Sequence, residues 1–375
     1  MARSPALHEI EEFPEADRLD GFAHPRATPR LYGHEPAERT LQSAFESGRM
    51  HHGWLIAGPE GIGKATLAYR FARHALAEPG ERQLDSLDVG METRAARQIL
   101  ALSHPGLLVI RRAYDIKAKR FPASIPVDEV RRLKTFLGRT GEDGAWRIVI
   151  VDRADELNVS AANALLKSLE EPPARTIFLL ISSAPGRLLV TLRSRVRMLD
   201  LAALEEEPLR RAVTQAFAAS SEDVASAAPQ PSEWERLAAL SGGSVRRVLS
   251  LHAAKGLALH ERITKILDGL PQIDWGAVHT LGDELSGQAA EQRYQLFFEL
   301  LMDAIAQLVS VEARGRGTQA EIARASRLIG PQRLATWAGL WERVAADKAD
   351  AEALNLDRKA LILNVFSKLD AASRG

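Results

Sequence analysis

The run Gly58-Pro-Glu-Gly61-Ile-Gly63-Lys64 constrains the fold of this chain more than any other stretch. It lies between the short apolar segment Trp54–Ala57 and a helical pattern carried by Leu67, Phe71, Ala75 and Leu76, so a strand, a glycine-rich turn and a helix follow one another. Glycines let backbone N–H groups approach a phosphate with no Cβ in the way, and the N-terminus of the following helix favours an anion. The spacing predicts a phosphate-cradling loop formed by Gly58, Gly61, Gly63, Lys64, Ala65 and Thr66. A ligand-free strand-to-helix turn is the bland alternative. The register of the glycines and lysine with their flanking elements favours phosphate-loop ancestry, and leaves open whether a nucleotide, ATP or ADP, is bound today.

Two positions argue against hydrolysis. Such loops place a Ser or Thr hydroxyl after the lysine to ligate Mg²⁺; here the residue is Ala65, with Thr66 one step round the helix. A second acidic element ends the buried-strand pattern Trp146–Val151, placing Asp152 at the carboxyl end of a strand, where open α/β sheets bind ligands. Arg153 follows it, and a permanently protonated guanidinium cannot act as a base. Glu156 is a possible substitute one turn onward, and the plain reading of Asp152 and Asp155 is a helix start whose acids complement the dipole.

The wider chain fits an α/β domain followed by helices. Leu107–Ile110, Trp146–Val151 and Thr176–Ile181 are compact aliphatic runs separated by helical or polar stretches, which predicts a parallel sheet covered on both faces. At 375 residues with 46% hydrophobic content the chain is long for one core. Strand signals stop near residue 200. We expect a loosely ordered leader over 1–30, an α/β domain over 31–202, a small helical domain over 203–257 and an all-helical domain over 258–375. The last carries amphipathic spacing such as Trp337, Leu340, Trp341 and Val344, then Leu361, Val365 and Leu369 after the N-cap candidate Asp357. There is no cysteine, which removes disulfides, thiolate catalysis and cysteine-held zinc and suits a reducing cytoplasm. Forty-nine basic and forty-nine acidic residues cancel, so no global positive field recruits nucleic acid. No apolar run is long enough to span a bilayer.

Four segments together resemble the clamp-loader branch of the AAA+ family: the phosphate loop, Asp152, the run ANALLKSLEEPP over Ala162–Pro173, and LRSRV over Leu192–Val196. Taken alone, the helix from Ser160 is an amphipathic helix with Asn163 and Lys167 on one face, stopped by two prolines. The resemblance implies an AAA+ sheet domain, a small helical lid and a helical collar that joins subunits into a ring. It also implies that Arg195, in Ser194-Arg195-Val196 where the family has Ser-Arg-Cys, is an arginine finger presented to a neighbour's nucleotide. By the same resemblance Ser183 takes the sensor-1 place and Arg246 starts the sensor-2 helix. A solvated basic edge is the plain reading of Arg193, Arg195 and Arg197. Many members carry a four-cysteine zinc module after the loop helix; 78–105 has no cysteine, so the module is rebuilt without zinc or absent.

Within that family, a defective ATP site with a retained finger resembles the non-hydrolysing subunit, and the resemblance then implies a place in a hetero-pentamer. Its partners would be the motor and delta subunits, the sliding clamp and, through the assembly, primer–template DNA, with no membrane. Arg111, Arg112, Lys117, Lys119, Arg120, Arg131, Arg132 and Lys134 form a basic cluster that could meet phosphates, though a solvated surface accounts for it more simply. Two competing readings are an ATP-hydrolysing motor subunit working through Lys64 and Asp152, and a self-assembling helicase or transport motor on the same core.

Overall fold

The computed structural model describes residues 14–118, 120–138, 145–221, 224–225, 228–354 and 356–374. The chain divides into two compact units, Met1–Val248 and Leu249–Gly375.

In the first unit, five strands form one parallel sheet: β1 Gly53–Ala57, β2 Leu107–Ile110, β3 Arg147–Val151, β4 Thr176–Ser182 and β5 Arg197–Asp200, in the order β2-β3-β4-β1-β5. The central strands are continuous apolar runs because both of their faces are covered; every residue of β1 and β4 is buried. Alternate side chains enter different cores. Trp54, Ile56, Ile148, Ile150, Leu179 and Ile181 pack with Leu41 and Phe45 of helix α1 (Glu35–Glu46) and Leu67 and Phe71 of α2 (Lys64–Leu76). Leu55, Val149, Val151, Phe178 and Leu180 pack on the other face with Val130, Leu133 and Phe136 of α4 (Val127–Leu137) and Leu165 and Leu169 of α5 (Val159–Glu170). This period of two fixes the strand register, since a one-residue slip would exchange the two cores.

Helix boundaries follow local chemistry. Asn158 caps α5 by accepting the Ala161 N–H at 2.8 Å, and the Pro172-Pro173 pair stops it. Helix α3 (Arg94–Leu100) is capped by Thr93, and α6 (Val190–Arg193) is a single turn before β5. Where relatives in the resembling family carry zinc, a bridge between Arg82 and Val89 and a small cluster of Ala77, Val89 and Ala95 organise the chain. Arg82 ties this segment down by donating to the carbonyls of Ala75 and Ala77. Helices α7 (Glu206–Ala218) and α8 (Pro231–Ser241) follow the sheet, and α9 (Val245–Ala253) begins beside the phosphate loop.

The second unit is helical: α10 Gly256–Asp268, α11 Trp275–Ser286, α12 Glu291–Arg314, α13 Gln319–Leu328, α14 Gly330–Leu354 and α15 Arg358–Arg374. Leu301 and Ile305 of α12, Trp337 and Leu340 of α14 and Val365, Phe366 and Leu369 of α15 are all buried. Asp357 caps α15 through the Ala360 N–H. The fold is the expected parallel α/β sheet followed by helices.

The expected leader lies outside the described residues up to position 13. From Pro14 onward the chain is held. Two fully buried arginines of α2 do much of this: Arg73 donates to the Arg26 and Thr28 carbonyls at 2.8 and 2.9 Å, and Arg70 donates to Pro29 while pairing with Glu38 and Asp88, each at 2.7 Å. Phe22 packs edge-on against Phe217 of α7 at 5.3 Å.

Candidate functional site

The site is built where β1, β3 and β4 end. Between β1 and α2 the loop turns through positive φ at each of its three glycines. At Gly58 (φ +142°) a Cβ would lie 2.2 Å from the Leu201 carbonyl oxygen, and at Gly61 (φ +75°) it would lie 2.4 Å from Ser244 Oγ. Side chains are therefore excluded there by strain and by contact. The turn is therefore bare backbone packed against Leu201, Ser244 and Arg246, directly ahead of the first turn of α2, where a helix N-terminus suits a phosphate.

Lys64 opens α2 and is buried, folded back onto its own loop. Its ammonium donates to the carbonyls of Gly58, at 2.7 Å, and Pro59, and to Ser183 Oγ at 2.9 Å. Burial pulls its pKa down to about 8 against the opposing pull of Glu60, Asp152 and Asp155. Ser183 sits at the end of β4 and donates its N–H to Asp155 at 3.1 Å. Arg246, at the start of α9, donates its backbone N–H to the Gly61 carbonyl at 3.3 Å and lies 3.8 Å from Glu60. The structure thus brings Gly58, Gly61, Gly63, Lys64, Ser183 and Arg246 together.

The two departures from a hydrolytic site are also in place. Ala65 offers only a methyl group, which packs toward the sheet core, and Thr66 is buried in α2. Arg153 is left-handed (φ +54°) and pairs with Glu60 at 3.2 Å and Glu156 at 2.8 Å. Glu156 is held by a second guanidinium, Arg112 at 2.6 Å.

Asp152 is buried at the end of β3, with its carboxyl hydrogen-bonded to that of Asp17. Burial, and then the Asp17 charge, raise the Asp152 pKa; Asp17 also suffers burial, but His24 and Arg111 hold it far below the usual carboxylate range. The two carboxyls titrate as a pair, and of the two Asp152 is the one whose protonated form the site favours. His24 accepts the Arg26 N–H on Nδ1 at 3.0 Å, which leaves its Nε2 hydrogen to donate to Asp17 at 2.7 Å. Arg111 pairs with Asp17 at 2.6 Å and with Glu15, which Arg26 also binds at 2.7 Å. These leader residues are absent from the sequence-based site. The available signal was the acidic run Glu15-Ala-Asp17, together with two arginines on an otherwise apolar helix at 70 and 73.

Four members of the basic cluster, Arg111, Arg112, Arg131 and Arg132, are held in ion pairs. Arg111 and Arg112 serve Glu15, Asp17 and Glu156, while Arg131 and Arg132 pair with Asp128 and Glu129. Lys119 lies outside the described residues.

Arg195 is placed elsewhere. Strand β5 runs parallel to β1 from Arg197 opposite Trp54 to Asp200 opposite Ala57, so Arg195 precedes the strand at the end away from the loop. Its carbonyl oxygen is near Gly53, about 16 Å of strand from Gly58 at ~3.3 Å per residue. The guanidinium, 37% exposed, pairs with Glu170 at 2.7 Å and donates to the Thr191 carbonyl at 3.0 Å.

Comparison with known proteins gives a consistent set. A family model described as DNA polymerase III, delta subunit matches residues 33–205. DNA polymerase III subunit delta' of Pseudomonas aeruginosa is 36% identical over 241 residues, 64% of this chain and just under two thirds (66%) of that relative. The subunit delta' of Escherichia coli K12 is 30% identical over 310 residues, 80% of this chain and 83% of the relative. DNA polymerase III subunit tau of E. coli K12 is 26% identical over 349 residues, 91% of this chain and 47% of the relative.

Proposed function

The chain belongs to the delta-prime family of DNA polymerase III subunits, within the clamp-loader group, and from that premise we propose that it is a non-hydrolysing stator of a clamp loader. In this reading it closes the ATP site of a neighbouring subunit with Arg195 and helps to load a sliding clamp onto primed DNA. The observation that carries it is the placement of Arg195: the arginine stands a full strand length from its own phosphate loop, on the opposite end of the sheet. A guanidinium so placed is of no use to its own cleft, but it is exposed to a neighbour. There it would stabilise charge on the transferring phosphoryl group, an effect of order 10³–10⁵ in rate where fingers act.

The cleft itself supports phosphate binding and offers little to a hydrolytic cation. Gly58, Gly61, Lys64 and Ser183 lie together where the phosphates of ATP or ADP would be held once the Lys64 ammonium exchanged its loop carbonyls for phosphate oxygens, whereas Ala65 lacks the metal-binding hydroxyl and the Asp152 carboxyl is taken up by Asp17. Bound nucleotide would thus be structural. On this account 31–202 is the AAA+ domain, 203–257 the lid and 258–375 the collar that joins motor and delta subunits in a hetero-pentamer. Among the described residues no helix is long and apolar enough to cross a membrane.

The rival motor and self-assembling readings are tested on the purified chain. The stator reading expects no ATP turnover above a Lys64→Ala control and a monomer by light scattering. Steady hydrolysis abolished by Lys64→Ala, or a closed ring of this chain alone, would sink it.

A further inference from the structure

The leader does more than its anchors require. Phe22 on Phe217 and the carbonyls of Arg26 and Thr28 on Arg73 suffice to hold 22–30 against the first unit. Beyond them the chain continues into the cleft. There the Asp17 side chain, only 5% exposed, is pressed against the carboxyl of Asp152, while the Asp17 carbonyl accepts from the Arg246 guanidinium at 3.3 Å. Arg246 in turn holds the Gly61 carbonyl of the phosphate loop. A single residue of the leader therefore contacts both Asp152, at the carboxyl end of β3, and Arg246, which touches the loop.

Putting two carboxyls together in a buried place opposes folding unless another need is met. Here the cost is offset by Arg111 and His24 on Asp17, and by Arg111 and Arg26 on Glu15. The arrangement is an anionic group bound by cations at the strand ends beside a phosphate loop. Polyphosphate with its counter-ion would make the same demands on this corner.

We propose that Glu15–Asp17 is an internal occupant of the cleft, an acidic strap that competes with nucleotide phosphates for the corner formed by Asp152, Arg111 and Arg246. In the closed state the strap covers Asp152 and engages Arg246. A nucleotide bound fully in the loop displaces it, so the apparent affinity is lowered by the fraction of molecules in which the strap is closed. The strap acts within one chain, so it stands or falls independently of whether Arg195 serves a neighbour.

The test uses the full-length chain and a fluorescent ADP analogue with Mg²⁺, comparing the native protein with Asp17→Ala and Glu15→Ala. The strap predicts that Asp17→Ala binds about tenfold more tightly or better, as expected when a mostly closed state is removed, and that Glu15→Ala, which only loosens the strap, gains in the same direction by a smaller factor. It also predicts that millimolar ADP speeds tryptic cleavage after Arg18 in the native protein. Equal affinities across the three proteins, including no binding in any, would overturn it. Should Asp17→Ala fail to fold, Glu15→Ala decides, since it leaves the Asp17–Asp152 contact in place and only loosens the strap. Should neither variant fold, the native cleavage rate decides, and a rate unmoved by ADP counts against the strap.

Discussion

Replacing Gly58 with alanine tests whether the phosphate loop is held in its cradling shape by the chain itself. Gly58 has φ +142°, a region that L residues enter at a cost of roughly 1–3 kcal/mol. The new Cβ would also lie 2.2 Å from the carbonyl oxygen of Leu201, whose own N–H donates to Ala57 at 2.8 Å, so relief requires moving β5 away from β1. Overpacking of that kind adds about 1–3 kcal/mol, which puts the whole effect at about 4 kcal/mol. Gly186 provides the control: nothing lies within 4 Å of its added Cβ, so Gly186→Ala should change stability by less than about 1 kcal/mol. Native-state hydrogen exchange read at the β1 amides Leu55, Ile56 and Ala57 reports the sheet unit directly, without assuming that the two units unfold together. A Gly58→Ala protein whose β1 protection matches that of Gly186→Ala would refute the loop geometry.

Three further outcomes are expected. Phe22→Ala removes the edge-on contact with Phe217 and should release the leader before it unfolds the sheet, seen as faster proteolysis between 14 and 30 with β1 exchange unchanged. His74 is buried and its pKa is pulled down to about 4, chiefly by desolvation. The unfolded ring protonates near 6.5 and the folded ring resists, so stability is full above pH 6.5 and falls between about 6.5 and 4, by on the order of 2 kcal/mol; urea titrations across that range should show the loss, and His74→Gln should lessen it. Glu170→Gln breaks the exposed pair with Arg195 and should shift the thermal midpoint by no more than about 1 kcal/mol allows, because both partners are well solvated.

The architecture was legible because its signals are local. Continuous apolar strands, a glycine turn before an apolar helix and a proline stop after Glu171 each dictate one element, and together they give a sheet with helices on both faces. Most of the cleft was legible for the same reason, since Gly58 to Lys64 form one contiguous segment. Ser183 and Arg246 were reached only through family resemblance, and the fold brings both to the loop. Asp17, Glu15 and Arg111 were not legible as a site. Their meaning depends on partners 94 and 96 residues apart, and an acidic segment with prolines near a chain start has the same composition whether it is solvated or bound. The arginines at 111 and 112 looked like a basic surface because sequence shows charge without showing the carboxylates that neutralise it. Arg70 and Arg73 carry a similar lesson: on an apolar helix face they serve backbone carbonyls of a distant segment.

The most direct test of the stator account is steady-state ATP turnover by a reconstituted clamp loader with sliding clamp and primed DNA, with this chain supplied as native, Arg195→Ala or Lys64→Ala. Arg195 is exposed and far from its own loop, so Arg195→Ala should leave folding and assembly intact while cutting turnover at the adjoining site by a large factor. Lys64→Ala should have little effect on turnover, because the cleft it serves lacks the groups for hydrolysis. If instead Lys64→Ala abolishes turnover and Arg195→Ala is silent, this chain is a motor and the account is wrong.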